Sequence, residues 1–306
     1  MHDGRVTSGI EHRRLAVVGP GAIGCTFAAV ARRAGLSEVP LYGRTGVDRI
    51  TVRPDDGEPV VLSGGVRTDP SAALGPVDWV LLAVKVHQTA AAAPWLRALC
   101  GPETVVVALR NGVEHREQLA PFVGRATVLP TVVWCPAEML DRETVRLRGV
   151  AALTVPDEPA GHRLAGLLTP GGAQVDIAEN FQTELWRKLI MNAAAGLMVL
   201  AGRRTGMFRR PDVRELAVAL ARECAAVGAA EGAMLDASAA DKIVDDLAAM
   251  PADLGSSILY DREAGRALEW DARNGVVRRL GARHGVPTPV SDVVVPLLAA
   301  ASDDPN

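Results

Sequence analysis

Short apolar runs separated by turn residues occupy the first part of the chain. Continuous apolar stretches, which are typical of parallel strands buried on both faces, occur at Leu15 to Val18, Trp79 to Val84 and Thr104 to Leu109. Val39 to Tyr42 predicts a further strand, which Pro40 disfavours. Helices are predicted from Cys25 to Arg33 and from Ala90 to Leu99, the second interrupted early at Pro94. This alternation predicts an α/β unit with a parallel sheet.

Further strand-like runs follow at closer spacing. They are Ala126 to Cys135, Thr144 to Leu147, Ala151 to Val155 and Ala173 to Ile177. Because these runs are more closely spaced, we expect an antiparallel or mixed extension there.

The pattern changes to helical spacing from about residue 179. The apolar stripes are Leu185, Leu189, Leu197 and Leu200; Val213, Leu216, Leu220, Cys224 and Val227; and Leu268, Ala272, Val276 and Leu280. Pro211 suits an early helix position, and Pro287 and Pro289 follow the last stripe. The sequence therefore predicts two domains, 1–178 and 179–306, with a ligand cleft between them.

A glycine-rich turn connects the first strand to the first helix. The sequence Gly19-Pro-Gly21-Ala22-Ile23-Gly24 has the Gly-x-Gly-x-x-Gly spacing of a dinucleotide-binding turn, in the strand–turn–helix context that such a turn needs. The first glycine permits the tight turn, the second lets a pyrophosphate approach the backbone, and the third lets the helix pack closely. The fold class is therefore an α/β Rossmann-type N-terminal domain plus a mainly α-helical C-terminal domain.

The end of the second predicted strand bears on the choice of cofactor. NAD-binding units place an acidic residue there to bind the ribose 2′-hydroxyl, whereas this chain has Tyr42-Gly43-Arg44. A guanidinium can bind a 2′-phosphate in a bidentate manner. Arg44 therefore favours NADP(H) over NAD(H); the alternative is a solvated surface arginine.

Composition limits the classes of function. Apolar residues make up 48% and charged residues 23% of the 306 residues, which is typical of a globular protein. A net charge of −3 gives no reason to expect nucleic acid or an anionic membrane as a partner. Four widely separated cysteines argue against a zinc site or a disulfide framework and suit the cytoplasm. No apolar run reaches transmembrane length, and residues 1–13 are predicted to form a loose tail, without the apolar stretch of a signal peptide.

Two polar residues in the first helical stripe are candidates for chemistry. Lys188 and Asn192 are four residues apart and lie on one ridge of a helix that begins near Phe181. Asn192 falls inside the apolar stripe, where an amide needs a partner. Lys188 could donate a proton to a carbonyl oxygen as hydride reaches its carbon. The alternative is a surface lysine whose stem packs on the helix, with Asn192 satisfied in the core.

Glu269 and Ser257 form a second, weaker pair of candidates. Glu269 is predicted to border the stripe of the last long helix, and Ser257 lies twelve residues earlier. A carboxylate and a hydroxyl facing a cleft could hold a substrate hydroxyl, although a lone glutamate on a helix is more often solvated.

The order of several motifs resembles ketopantoate reductases, from about Arg14 to about Leu298. The motifs are Gly19-Pro-Gly-Ala-Ile-Gly24, Ala83-Val-Lys85, Arg110-Asn-Gly112, Trp186-Arg-Lys188-Leu-Ile-Met-Asn192, Ser256-Ser257, Glu269 followed by Asn274-Gly275, and His284-Gly-Val-Pro-Thr-Pro289. The resemblance implies NADPH-dependent reduction of a 2-keto acid, with 2-dehydropantoate (ketopantoate) the leading substrate.

The same resemblance implies roles for individual residues. Lys188 corresponds to the proton donor, and Glu269 to the group that holds the substrate hydroxyl. Lys85 and Asn111 correspond to residues near the nicotinamide and the reacting carbonyl. Asn192 and Ser257 correspond to substrate contacts.

Three positions depart from the family pattern. Gly196 and Leu254 stand where ketopantoate reductases often have asparagine, and Arg110 replaces the usual glutamine before Asn-Gly. Each lost hydrogen bond would weaken binding by about 0.5–1.5 kcal/mol. We therefore also consider a pocket that has gained space and apolar surface, suited to a bulkier keto compound.

Other functions stay open at this point. A dehydrogenase of the 6-phosphogluconate or hydroxyacyl type shares the domain arrangement, but the chain has no corresponding motif. A non-catalytic NADP-binding paralogue would have no use for Lys188 and Glu269 together. The alanine-rich helices predicted at Val213 to Ala230 and Ala237 to Met250 could form a homodimer face or simply core.

Overall fold

The computed structural model describes residues 13–303, so the predicted tail at 1–13 lies almost wholly outside the described residues. The chain divides into two compact units. The first runs to Arg110 and resumes from Glu114 to Phe181; the second takes in Asn111–Val113 and the chain from Gln182 onward. The sequence predicts a single boundary at 178/179 and does not indicate that Asn111–Val113 belong to the second unit.

The strands of residues 13–303 all belong to the first unit. In chain order they are β1 (Leu15–Val18), β2 (Leu41–Tyr42), β3 (Arg49–Pro54), β4 (Val60–Ser63), β5 (Val66–Arg67), β6 (Trp79–Leu82), β7 (Val105–Ala108), β8 (Thr127–Pro130), β9 (Val132–Trp134), β10 (Ala137–Met139), β11 (Thr144–Leu147), β12 (Ala152–Pro156) and β13 (Gln174–Ala178).

The helices are distributed over both units. In chain order they are α1 (Ala22–Arg33), α2 (Thr89–Leu99), α3 (His115–Val123), α4 (Pro159–Leu168), α5 (Phe181–Ala201), α6 (Pro211–Ala230), α7 (Ala239–Ala249), α8 (Ser257–Glu263), α9 (Val276–His284) and α10 (Pro289–Ser302). None of the helices within the described residues is both long and apolar enough to cross a membrane.

A parallel six-stranded sheet forms the centre of the first unit. Its strand order is β5-β2-β1-β6-β7-β8, and every neighbouring pair is parallel. Successive residues of β1 point to opposite faces, so that Leu15 and Val17 join a core with α1 and α4. Ala16 and Val18 join a second core with α2 and α3. The continuous apolar runs in the sequence reflect this burial on both faces.

The second strand is shorter than predicted. Pro40 lies just outside β2, and its carbonyl accepts a hydrogen bond from the N–H of Val17, so its missing N–H costs the sheet nothing. Pro94 also behaves differently from the prediction, because α2 continues through it. Burial of Trp95, Leu96 and Leu99 offsets the hydrogen bond that the proline cannot donate.

Two small sheets complete the first unit and have the expected mixed pairing, although they are separate from the parallel sheet. One has the order β10-β11-β3-β4, with β11 and β3 parallel and its other pairs antiparallel. The other has the order β13-β12-β9, with one parallel and one antiparallel pair. The strand-like run Ala126 to Cys135 is divided between β8 of the parallel sheet and β9 of a small sheet. Strands β3 and β4 have no counterpart in the prediction, although Ile50 and Val52 alternate with polar neighbours.

The second unit is entirely helical, as its periodicity predicts. Helix α5 begins at Phe181, and Pro211 is the first residue of α6. The prediction is wrong around Glu269, which lies outside the helix and directly precedes its first helical residue, Trp270. A π-helical turn, Asp271–Gly275, then leads into α9. Pro289 opens α10, which the sequence analysis does not predict.

Candidate functional site

The glycine turn after β1 is held close to the end of β6. Gly19 has a φ of +97°, and a Cβ at this position would lie 2.8 Å from the carbonyl carbon of Ala83. A Cβ on Gly24 would lie 2.2 Å from the carbonyl oxygen of Gly19. Only glycine satisfies both the backbone conformation at Gly19 and the close packing at Gly24.

The second glycine of the turn meets no such obstacle. A Cβ on Gly21 would have no atom within 4 Å. Gly21 is the N-cap of α1 and has no side chain to cap the helix. The first N–H groups of α1, around Ala22 and Ile23, have no partners within the helix and carry partial positive charge. This open, positively polarised turn fits the pyrophosphate of a dinucleotide.

Basic side chains lie around the end of β2. Arg44 follows Gly43 and is exposed. Arg67, on the neighbouring strand β5, pairs in register with Tyr42, lies over its ring and bonds Glu38 at 2.8 Å. The end of β2 thus carries cationic groups, and no carboxylate follows Tyr42 directly. Lys85, which follows β6 and precedes a short 3₁₀ turn, is partly buried in the same unit.

A hydrogen-bonded chain joins four polar side chains of the second unit. Arg273 Nη2 donates to Asn192 Oδ1 at 2.6 Å, and Asn192 Nδ2 donates to Asn111 Oδ1 at 3.2 Å. Asn111 Nδ2 donates to Glu269 Oε2 at 2.9 Å. Asn192, Glu269 and Arg273 are buried, and Asn111 is partly exposed. The structure thus brings together three of the predicted site residues and adds Arg273.

Lys188 and Ser257 belong to the same cluster. Burial and the neighbouring Arg273 guanidinium lower the pKa of Lys188 to about 8. The residue as a whole is partly exposed. Ser257 is exposed at the start of α8, and its hydroxyl accepts a hydrogen bond from Arg273 Nη1 at 3.3 Å. An ammonium group whose pKa is lowered toward neutral therefore lies near hydrogen-bonding groups that suit a polar ligand.

Arg273 is the residue of this cluster that the sequence analysis misses. It lies next to Ala272 in the predicted apolar stripe. The structure buries Arg273 almost completely, and burial lowers its pKa. A charged residue inside a run of apolar positions is the signal that could have found it.

The structure locates the three departures from the family pattern, and at one of them, Gly196, a neighbouring side chain fills the space. The side chain of Arg110 is buried in the first unit, where it donates to Thr89 Oγ1 at 2.6 Å and Gln118 Oε1 at 3.0 Å. A Cβ on Gly196 would lie 2.9 Å from Asn274 Oδ1, so the space at this position is already filled. Leu254 is partly buried in the loop before α8, and its carbonyl accepts a hydrogen bond from the N–H of Thr205.

Comparison with known proteins identifies the family. The model of the family "Ketopantoate reductase PanE/ApbA" matches residues 15–159, and that of its C-terminal part matches residues 180–302. The chain belongs to the ketopantoate reductase family. It is 51% identical over 292 residues to the 2-dehydropantoate 2-reductase of Mycobacterium tuberculosis, covering 95% of this chain and 99% of that one.

Two further members extend the comparison. The 2-dehydropantoate 2-reductase of Caulobacter vibrioides is 39% identical over 291 residues, with 94% of this chain and 99% of that protein covered. The crystal structure of a ketopantoate reductase from Ralstonia eutropha superimposes with a TM-score of 0.84 at 30% identity, covering 95% of this chain and 98% of that one. Within residues 13–303 of the present chain, no group of three or more His, Cys, Asp or Glu residues is placed to hold a metal ion.

Proposed function

We propose that this chain reduces 2-dehydropantoate to pantoate, with NADPH as the reductant. The observation that carries the proposal is the buried cluster in which Lys188, with its pKa lowered to about 8, lies beside Arg273 and the chain of amides that ends on Glu269. Residues 1–178 are proposed to bind the cofactor and residues 179–306, together with Asn111, to provide the substrate groups. When bound, the reduced nicotinamide supplies a hydride to the keto carbon.

Lys188 is proposed as the proton donor. As the C=O π bond breaks, its electron pair goes to oxygen, and the Lys188 ammonium protonates that oxygen. A pKa of about 8 leaves most of the lysine protonated at pH 7 while weakening its hold on the proton. The neutral amine then recovers a proton from solvent.

The neighbouring residues are proposed to hold the substrate. Glu269 accepts a hydrogen bond from the substrate hydroxyl. Asn111, Asn192 and Ser257 bind its oxygen atoms. Positive charge on Lys188 and Arg273 favours an anionic keto acid over a neutral ketone, because the carboxylate offsets their charge in a buried environment.

The proposed cofactor site lies in the first unit. Backbone N–H groups from Gly19 to Gly24, including those of Ala22 and Ile23, bind the pyrophosphate, and Arg44 binds the 2′-phosphate of NADPH. Lys85 and Asn111 are proposed to contact the nicotinamide end. The open space at Gly21 and the exposed guanidinium of Arg44 support this assignment.

Replacing Lys188 with alanine tests the function. Lys188→Ala should lower kcat by about 10²- to 10⁴-fold, the contribution typical of a general acid, and leave NADPH binding nearly unchanged. Lys242→Ala, at an exposed position of α7, is the matched control and should retain full activity. The measurements are steady-state rates and fluorescence titration of NADPH. Unchanged turnover in Lys188→Ala would remove the lysine from its role.

The substrate is tested by steady-state rates over a panel of 2-keto acids. We expect the highest kcat/KM with 2-dehydropantoate. A higher value with a bulkier keto acid would replace the substrate while retaining the chemistry. Cofactor binding without turnover on any member of the panel would indicate a non-catalytic paralogue.

A homodimer and a cytoplasmic location complete the proposal. An apolar groove lies between α6 and α10, and its rim carries the exposed side chains of Leu216, Val293 and Leu297. Exposed apolar surface of this kind is typical of a protein interface. By contrast, Ile243, Val244 and Leu247 of α7 are buried in the core of the second unit. All four cysteines are free thiols, which suits a reducing compartment.

A further inference from the structure

Arg273 is a buried cation whose hydrogen-bond acceptors are neutral. It is 2% exposed, and it donates to the amide oxygen of Asn192 and the hydroxyl of Ser257. Its Nε has no hydrogen-bond partner in the structure. Burying a guanidinium costs free energy unless an opposite charge and hydrogen bonds offset the loss of hydration. Both of its acceptors belong to residues proposed to bind substrate.

The two ends of the hydrogen-bonded chain fix its direction. A guanidinium can only donate, and an ionised carboxylate can only accept. Asn192 must therefore turn its oxygen toward Arg273, which turns its nitrogen toward Asn111 Oδ1. Asn111 must in turn direct its nitrogen to Glu269. The orientations of both amides follow from the identities of the residues at the ends, and not from a choice between equivalent flips.

We infer that Arg273 is a positioning residue for the reduction: by donating into the Asn192–Asn111–Glu269 chain, it orients the amides that bind substrate and places a fixed positive charge beside Lys188. The inference rests on the proposed function for its kinetic consequences. The orientation of the hydrogen bonds from Arg273 to Glu269 is a structural claim and does not depend on any enzymatic activity.

The fixed direction has a consequence for recognition. The Asn192 amide nitrogen has a second hydrogen besides the one it donates to Asn111, and the Lys188 ammonium is also a hydrogen-bond donor. This part of the site therefore offers donors that suit the acceptor oxygens of a 2-keto carboxylate.

Burial and the charges around Lys188 together set its pKa. Arg273 lowers the pKa of Lys188, and the carboxylates of Glu269 and of Asp261 on α8 act on Arg273 in the opposite sense to its burial. Asp261 is itself paired with Arg266 at 2.9 Å. Among these groups, Arg273 is the cation whose removal would raise the pKa of Lys188.

Three substitutions separate the donor from the charge. Arg273→Lys keeps both, Arg273→Gln keeps a donor without the charge, and Arg273→Met removes both. Arg278→Met is the control, because Arg278 is exposed on α9 and binds Asp292 at the surface. The substitutions are compared in the full-length enzyme.

The first readout is the pH dependence of kcat/KM for reduction of 2-dehydropantoate. In the wild type, kcat/KM should fall above about pH 8. This fall should stay at the same pH in Arg273→Lys and Arg278→Met and should move to higher pH in Arg273→Gln and Arg273→Met. The KM for the keto acid should rise at least tenfold in Arg273→Met, and Arg273→Gln should recover part of that loss. A wild-type limb and KM in Arg273→Met would overturn the inference.

The second readout is protection of the side-chain amide hydrogens of Asn192 and Asn111 from exchange, measured by NMR without substrate. Protection of these amide hydrogens should persist in Arg273→Lys and Arg273→Gln, which keep a hydrogen-bond donor, and should be lost in Arg273→Met. Equal protection in Arg273→Gln and Arg273→Met would contradict the orienting role, even if Arg273→Met proved unstable. An enzyme inactive on every 2-keto acid, with the expected protection pattern, would refute the proposed function and leave the hydrogen-bonded chain supported.

Discussion

The acidity of Lys188 is a property of its immediate neighbours. Burial disfavours the ammonium, and the Arg273 guanidinium adds a like charge, so the pKa falls from 10.5 to about 8. The sequence predicts that Lys188 and Asn192 share a helix face, because spacing of four residues is enough to establish it. It does not predict the shift, because the shift depends on burial in the folded structure and on Arg273, which lies 85 residues further along the chain.

The wild-type pH profile follows from this shift. Reduction needs the protonated lysine, so kcat/KM should be constant below pH 8 and fall about tenfold per unit above it. Oxidation of the hydroxy acid needs the neutral amine and should rise through the same range. Steady-state rates in both directions from pH 6 to pH 10 would test this. A reduction rate that does not change up to pH 10 would contradict the assignment.

Arg44 is expected to decide between the two nicotinamide cofactors. Arg44→Glu should lower kcat/KM for NADPH at least a hundredfold, because a carboxylate repels the 2′-phosphate, while the value for NADH changes little. Arg142→Glu, in the exposed connection between β10 and β11, controls for the change in net charge. Equal losses with both cofactors would show that Arg44 does not discriminate between them.

At the scale of elements, the helix that contains Arg273 differs most from the sequence pattern. An apolar stripe from Leu268 to Leu280 predicts one regular helix, but the structure starts the helix after Glu269 and opens it with a π turn. Residues 272–277 are all buried, so periodicity alone could not indicate where the helix begins. Strands β1, a continuous apolar run, and β11, which alternates polar and apolar residues, match their predicted bounds.

Gly196 illustrates how elements constrain a single position. Gly196→Ala and Gly166→Ala both improve helix propensity by about 0.5–1 kcal/mol. Gly166 on α4 has no atom within 4 Å of an added Cβ, whereas Gly196 faces Asn274 and Leu298. Gly166→Ala should therefore stabilise the protein. Gly196→Ala should destabilise it by about 1–2 kcal/mol, because overpacking outweighs propensity.

Urea unfolding of the two variants gives the comparison directly. Equal stabilisation by both substitutions would mean that Asn274 moves aside without cost. Gly196→Asn, which restores the amide that family members often have, should be more destabilising than Gly196→Ala for the same reason.

At the scale of the whole molecule, the division into two units was predicted from the change in hydrophobic period. The assignment of Asn111–Val113 to the second unit was not predicted, because no local sequence pattern distinguishes three residues directly after an apolar strand. Asn111 joins the cluster through contacts to Asn192 and Glu269, 81 and 158 residues away. Contacts of that separation leave no trace in a single sequence.

The association state can be tested at the apolar groove between α6 and α10. Leu297→Glu places a charge at an exposed apolar position and should convert a dimer to a monomer, because a buried unpaired carboxylate opposes association. Leu140→Glu, at an exposed apolar position of the first unit, is the control and should leave a dimer intact. Light scattering after size exclusion would distinguish these states. A wild-type monomer at micromolar concentration would refute the homodimer.

The placement of Asn111 bears on the construction of hybrid enzymes. Joining the first part of one homologue to the last part of another at position 181/182 would take Glu269, Asn192 and Arg273 from one parent and Asn111 from the other. Crossover at this single point can succeed only when both parents carry a compatible amide after Arg110. Transferring the codons for Asn111–Val113 together with the C-terminal part would take all four hydrogen-bonded side chains from one parent.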